Sequence, residues 1–278
     1  MAGRPCSPRP PTGGGKNRRV TPERATVVFV HAHPDDEAIF TGGTIVRLAA
    51  AGHRVVLVVA TGGELGESSA GAPTAPGALA ARRCAETEAA AGLLGITRVA
   101  WLGYHDSGMA GDPANDAPGA FWSADPDEAT ARLAAVLAAE RAAAVVVYDS
   151  FGIYGHPDHV QVHRIGRRAA AAAGVGTVYD ATIDREYLHF VETHLVEEAI
   201  LAGDLGLVRS HIGVPSVAVD AAVDVRAVLE AKRAAMAAHA SQIPETTSAL
   251  RLPADHFADV YGWEWYVRTG PPGPIDAL

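Results

Sequence analysis

Two short polar turns carry most of the residue types in this chain that could do chemistry. One is His31-Ala32-His33-Pro34-Asp35-Asp36-Glu37, and the other is Tyr154-Gly155-His156-Pro157-Asp158-His159. Each contains His-Pro-Asp followed by a further ionisable residue. Imidazoles beside carboxylates are what a hydrolytic metal site needs: ligands to hold the ion, and a free carboxylate to handle protons. A catalytic zinc takes three protein ligands and keeps one position for water, and two histidines plus one carboxylate satisfy that rule. Iron(II) accepts the same set, so ligand type alone does not name the metal. Spacing also leaves open the choice between His31 and His33, and between Asp35 and Asp36. One His or Asp near a helix start is more often a cap than a ligand, by roughly three to one. Two matching clusters in one chain are hard to explain as capping alone.

Such side chains need rigid elements behind them. Val27-Val28-Phe29-Val30 precedes the first turn, and Ala144 to Tyr148 precedes the second; both read as buried strands. A helix is expected after each turn, over 37–51 and from the second turn to about Ala173. The prolines should stiffen both turns at the first helical position. Further strands are expected at Val55 to Ala60, Arg98 to Leu102 and Thr177 to Ala181, with helices over 78–94 and 127–141 between them. This alternation predicts an α/β fold: a mostly parallel, Rossmann-like sheet with helices on both faces. The turns then stand at the carboxyl edge of the sheet, where such folds bind ligands. Beyond residue 182 the rhythm weakens to helical stretches near 185–203 and 224–240, read as a C-terminal α+β extension over 183–278. The expected organisation is an arm over 1–24 and one domain over 25–278, whose N-terminal α/β part ends at 182.

Composition narrows the function classes. The formal net charge is −9 with no long basic block outside the arm, which argues against a nucleic-acid partner. No apolar run approaches the ~20 residues of a membrane span. The N-terminal residues are rich in Pro, Gly and Arg rather than apolar, so they read as disordered and not as a secretory signal. Cys6 and Cys84 are the only cysteines, and a reducing cytoplasm is the expected location. Tyr261, Trp263, Trp265 and Tyr266 form an aromatic cluster, read as C-terminal packing first and a sugar platform second. His53, His189, His194, His211 and His239 have no local companions and read as bystanders.

At the two turns the sequence resembles the LmbE-like (PIG-L) family of metal-dependent N-acetylglucosaminyl deacetylases. The family signature, an AHPDDE turn and a later HPDH turn, is intact as Ala32 to Glu37 and His156 to His159. Likeness is good over 26–181 and continues loosely through Ala231-Lys232-Arg233 and Ala238-His239-Ala240-Ser241-Gln242. The resemblance implies His33, Asp36 and His159 as ligands of Zn2+, with Fe2+ as the other candidate, and Asp35 as general base. It implies that His156 assists the tetrahedral intermediate and that Tyr154 donates to the oxyanion. Arg83, in an Arg-x-x-Glu spacing with Glu86, is implied to contact the sugar; Asp106, as an acceptor for sugar hydroxyls, and Met109, as a pocket liner, are expected to contact substrate from their place in the long loop. Asp158 and Glu37 are expected in supporting roles, Asp158 orienting a histidine. Tyr-Gly-His-Pro-Asp-His and Asp106-Ser107-Gly108-Met109 look most like the mycothiol-pathway branch, whose deacetylase and conjugate amidase act on small molecules. The expected substrate is a small N-acetylated amino sugar, and a homo-oligomer is an open expectation.

The loop over 66–77 and Ser150-Phe151-Gly152-Ile153 depart from that branch, so an antibiotic-pathway sugar deacetylase is a close alternative. Outside the family the alternatives are a non-catalytic metal- or sugar-binding protein and an iron(II) oxygenase. A spare Asp35 beside the ligands fits hydrolysis better than oxygenation.

Overall fold

The structure is a computed structural model and describes residues 24–66, 78–191, 212–244 and 247–278. The arm before Arg24, most of the 66–77 loop, the rest of the helix expected to 203, and His194 and His211 lie outside the described residues.

Val27 to Val30 and Val55 to Ala60 are fully buried, as uninterrupted β-branched runs should be when helices cover both sheet faces. They belong to β1 (Thr26–His31) and β2 (Arg54–Thr61). β3 (Arg98–Tyr104), β4 (Ala144–Tyr148) and β5 (Thr177–Thr182) complete a parallel set. The crossover helices are α1 (Asp36–Phe40), α2 (Gly42–Ala50), α3 (Ala78–Leu94), α4 (Pro126–Ala139), α5 (Gly152–Gly155) and α6 (Pro157–Ala173). β7 (Trp263–Thr269) pairs antiparallel with β5, and β6 (Ala221–Asp224) pairs antiparallel with β7, giving the order β3-β2-β1-β4-β5-β7-β6. α7 (Arg185–Phe190), α8 (Leu229–Ala238), α9 (Ser248–Arg251) and α10 (Ala254–Tyr261) accompany these last strands.

The strand order reverses between β1 and β4, so the connections leaving those two strands diverge. A crevice opens there, and it is where this architecture places ligands. The two polar turns follow β1 and β4.

Two expectations are corrected. The single helix over 37–51 is broken at Thr41 into α1 and α2. The Glu264 carboxylate accepts from the Gly43 and Thr44 N–H groups at 2.8 Å each, capping α2 from β7. Gly43 lets Val225 pack directly on this turn, since a Cβ there would sit 2.3 Å from Val225 Cβ. Periodicity cannot see a cap supplied from the far end of the chain. Second, Pro157 is the first helical residue of α6, but Pro34 is not helical: α1 begins two residues later, at Asp36.

Candidate metal centre

His31 is the last residue of β1, whereas His33 lies beyond the strand, where period-two alternation no longer fixes its direction. His31 points inward. Its Nδ1 lies 2.8 Å from Tyr148 Oη and its Nε2 2.9 Å from Thr41 Oγ1. Ala32 N–H donates to Tyr148 Oη, so the tyrosine hydroxyl donates onward to His31 Nδ1. His31 Nε2–H then donates to Thr41, whose hydroxyl reaches the Glu37 carbonyl. Burial pushes the His31 pKa down to about 4, so the ring is neutral. Both His31 nitrogens are occupied within the fold, whereas the His33 ring stands among the carboxylates of Asp36, Asp106 and Asp158.

His33 is surrounded by carboxylates. Its Nε2 lies 3.2 Å from Asp158 Oδ2 and 3.6 Å from Asp106 Oδ1, and its Nδ1 lies 3.5 Å from Asp36 Oδ2. Burial opposes its protonation, but hydrogen bonds to Asp106, Asp158 and Asp36 outweigh it and hold the pKa well above the ordinary value. Once the ring gives up its extra proton, as a metal ligand must, Asp158 accepting from Nε2–H leaves the Nδ1 lone pair toward Asp36. Asp36 Oδ2 is also 3.4 Å from Nε2 of the fully buried His159. Burial would raise the Asp36 carboxyl, but His159 and His33 hold it well below the usual range.

Oδ2 of Asp36 therefore stands 3.5 Å from Nδ1 of His33 and 3.4 Å from Nε2 of His159. Two donors on one tetrahedral zinc, each about 2.0–2.1 Å from it, stand roughly 3.4 Å apart, so the spacing of Asp36 from each histidine suits a shared ion. His33, His156 and His159 also bring ring nitrogens within 4.8 Å of one another, as do donor atoms of His33, Asp106 and Asp158. Of the two adjacent aspartates, Asp36 is the one that meets both imidazoles. Asp35 touches neither. Its backbone is in a left-handed conformation, φ 101°, uncommon for a residue with a side chain. Its N–H donates to Glu37 Oε2 at 3.2 Å. Burial and the adjacent Asp36 charge push the Asp35 carboxyl up to about 7.

The second turn is built differently. Asp149 Oδ1 accepts from the Phe151 and Ile153 N–H groups at 2.9 Å each, and Thr182 Oγ1 donates to Oδ2. This clamp holds Ile153 at φ 65°. His156 caps α6, its Nδ1 accepting from Asp158 N–H at 3.2 Å, so a neutral His156 carries its proton on Nε2. Burial, then the neighbouring His33 and His159, push its pKa down to about 3. Tyr154 Oη lies 3.4 Å from His159 Nε2, and burial raises its pKa well above the ordinary value, keeping it a donor. Tyr148 stacks on the His159 ring at 4.2 Å and 10°.

Of the remaining candidates, Asp158 contacts His33 and also accepts from Ser107 N–H at 3.0 Å. Asp106 accepts from the Leu65 and Gly108 N–H groups at 3.1 and 2.9 Å, so its carboxylate orders the loops beside His33. Arg83 is not the solvated helical arginine that frequency favours: it is 2% exposed and donates to the Gly66 carbonyl. Met109 is 46% exposed and contacts none of these residues in the described interactions. Sequence reasoning missed His239, whose Nε2 meets Glu37 Oε1 at 2.6 Å with both side chains fully buried. It missed Ser241 as well, which donates to Glu86 Oε2 at 2.6 Å. The available signal was the Ala238 to Gln242 stretch, whose polar residues sit among small apolar ones.

The profile of the family described as PIG-L, GlcNAc-PI de-N-acetylase, matches residues 28–170, which contain both turns. The chain belongs to the PIG-L family. A relative from Salinispora arenicola, 1D-myo-inositol 2-acetamido-2-deoxy-alpha-D-glucopyranoside deacetylase, is 38% identical over 89% of this chain and 86% of its own length. The protein of that name from Geodermatophilus obscurus is 40% identical over 89% of this chain and 92% of its own. The fold matches the N,N'-diacetylchitobiose deacetylase of Pyrococcus horikoshii with a TM-score of 0.59, at 23% identity over 88% of this chain and 84% of that one. Like its named PIG-L relatives, the chain is a hydrolytic deacetylase.

Proposed function

We propose that this PIG-L enzyme removes the N-acetyl group from an N-acetylglucosaminyl conjugate, the glucosaminyl-inositol of its relatives being the leading substrate, with a divalent ion held by His33, Asp36 and His159. The domain over 25–278 does this as a cytoplasmic enzyme on a small molecule. The carrying observation is that Asp36 Oδ2 meets both imidazoles while its neighbour Asp35 is left without a ligand's contacts.

When bound, the ion polarises the acetamide carbonyl and brings the pKa of a bound water toward ~7. The residues do the rest. Asp35, near neutrality through burial beside Asp36, takes the water proton and can return it to the leaving nitrogen. Tyr154 keeps its proton and donates to the developing oxyanion, where a hydrogen bond contributes most at the transition state. His156 Nε2–H is a second donor, its tautomer set by Asp158 N–H. The Asp158 side chain fixes the His33 tautomer, which orients the Nδ1 lone pair. Arg83, Asp106 and Glu64 give the sugar side of the crevice its polar character.

The test is acetate release from 1-D-myo-inosityl 2-acetamido-2-deoxy-α-D-glucopyranoside by metal-stripped enzyme reloaded with zinc or iron(II). Turnover restored by either ion supports the reading. A protein that binds the metal but frees no amine from any N-acetylated amino sugar would refute it.

A further inference from the structure

The crevice has a second compartment. A cavity of about 440 Å³ opens beside Asp35, Asp36 and Tyr154 and runs toward the C-terminal elements. Its walls include Ile39, Phe40, Ile183, Leu188 and Trp265. Tyr261 and Trp263 also border it, so three members of the aromatic cluster expected only to pack, or to carry sugar, line a space next to the candidate reaction centre. The volume falls in the range of roughly 300–1,000 Å³ typical of sites for drug-sized ligands.

Charge decides the kind of occupant. Lys232 and Glu264 border the cavity, but they satisfy each other at 2.6 Å, and Glu264 is further occupied by the α2 amides. They leave no free charge to recognise an anion or cation. The groups suited to hydroxyls stand on the other side of His33: Asp106 beside its Nε2, Glu64 bonded to Asp106 N–H, and Arg83 packed on Gly63 and Gly66. An amide laid between Asp35 and Tyr154 therefore has a polar compartment for its amine side and an apolar one for its acyl side.

We infer that this site takes amides with acyl groups longer than acetyl, unbranched chains of about four to eight carbons on the amino-sugar nitrogen, with the chain lying in this cavity. This inference rests on the deacetylase reading above. The reaction is the same hydrolysis: the C–N bond breaks, the water oxygen bonds to the acyl carbon, and one water proton goes to the nitrogen. The products are the fatty carboxylate and the free amino sugar.

The experiment is a kcat/KM series on the metal-loaded enzyme with N-acetyl, N-butanoyl, N-hexanoyl and N-octanoyl forms of one glucosaminyl-inositol. Each buried methylene can contribute up to about fourfold, so the hexanoyl compound should exceed the acetyl one by at least about tenfold. Ile183→Trp and, separately, Leu188→Trp, which narrow the cavity away from the ion, should lower the hexanoyl-to-acetyl ratio by about tenfold. The ratio is read within each protein, so a loss of folded material does not distort it. The wild-type series stands even if neither variant folds. Acetyl hydrolysis with no gain, or a fall, on lengthening the chain overturns the inference and leaves the deacetylase reading intact. No release from any member of the series defeats both.

Discussion

The two His-Pro-Asp turns are alike in sequence and occupy corresponding places after β1 and β4, but they do different work. In the second turn the helix begins at Pro157, His156 becomes its N-cap, and the Asp158 side chain reaches across to His33. In the first, the helix starts at Asp36, which leaves Asp35 outside it at φ 101°. That offset of two residues relative to proline changes which residue of the motif faces the crevice. Glu37 stabilises the unusual conformation by accepting from Asp35 N–H, and His239 supports Glu37 from α8's end. The lesson is that a repeated motif specifies which side-chain types stand at each turn, while the helix start specifies which of them faces the crevice.

Exchanging the roles is the sharpest way to test this contrast. His33→Ala should abolish both metal binding and turnover, measured by metal content and amine release, whereas His156→Ala should keep the metal. Equal metal loss in both variants would make the turns equivalent and break the comparison. The next largest effect is expected for Asp35→Ala: kcat should fall by about 10²–10⁴-fold, the usual range for a lost general base, with metal content unchanged. Near-full activity would remove Asp35 from the mechanism. Asp158→Asn tests the bridge between the turns, and should weaken metal affinity by about 10–100-fold, read by competition with a chelator.

The support behind the first turn is open to a milder test through pH. Burial lowers the His239 pKa, but the Glu37 carboxylate more than compensates and raises it above its ordinary value. A raised histidine stabilises the fold fully below the unfolded pKa of ~6.5, and that contribution fades as pH climbs through the folded value. In metal-stripped protein, the Tm advantage of wild type over Glu37→Gln should therefore be larger at pH 6 than at pH 9. An advantage that grows toward pH 9 would reverse the assignment. The smallest effect belongs to Met109: with its side chain 46% exposed, Met109→Ala should change kcat/KM by no more than about twofold.

Much of this was readable in advance. The five parallel strands and the crossover helices declare themselves, because buried β-branched runs such as Val55 to Ala60 and capped, Ala-rich stretches such as Ala78–Leu94 are local patterns. The side-chain types gathered at the two strand ends were equally open to reading, since both His-Pro-Asp clusters are written in the sequence itself. The break at Thr41, the antiparallel β6 and β7, and the burial of Arg83 and His239 were not readable that way. Each depends on partners distant in sequence: Glu264 reaches α2 across 221 residues, and His239 reaches Glu37 across 202.

The linear chain by itself determined the layered α/β arrangement and the inventory of donors, because hydrophobic period and residue chemistry act over a few neighbours. Only the folded arrangement decided which histidine of the first turn is a strut and which aspartate bridges two imidazoles. It also decided that an apolar chamber adjoins them. Those outcomes depend on distances and backbone angles between segments, and a distance of 3.4 Å from Asp36 to His159 is a property of two turns brought together by the sheet.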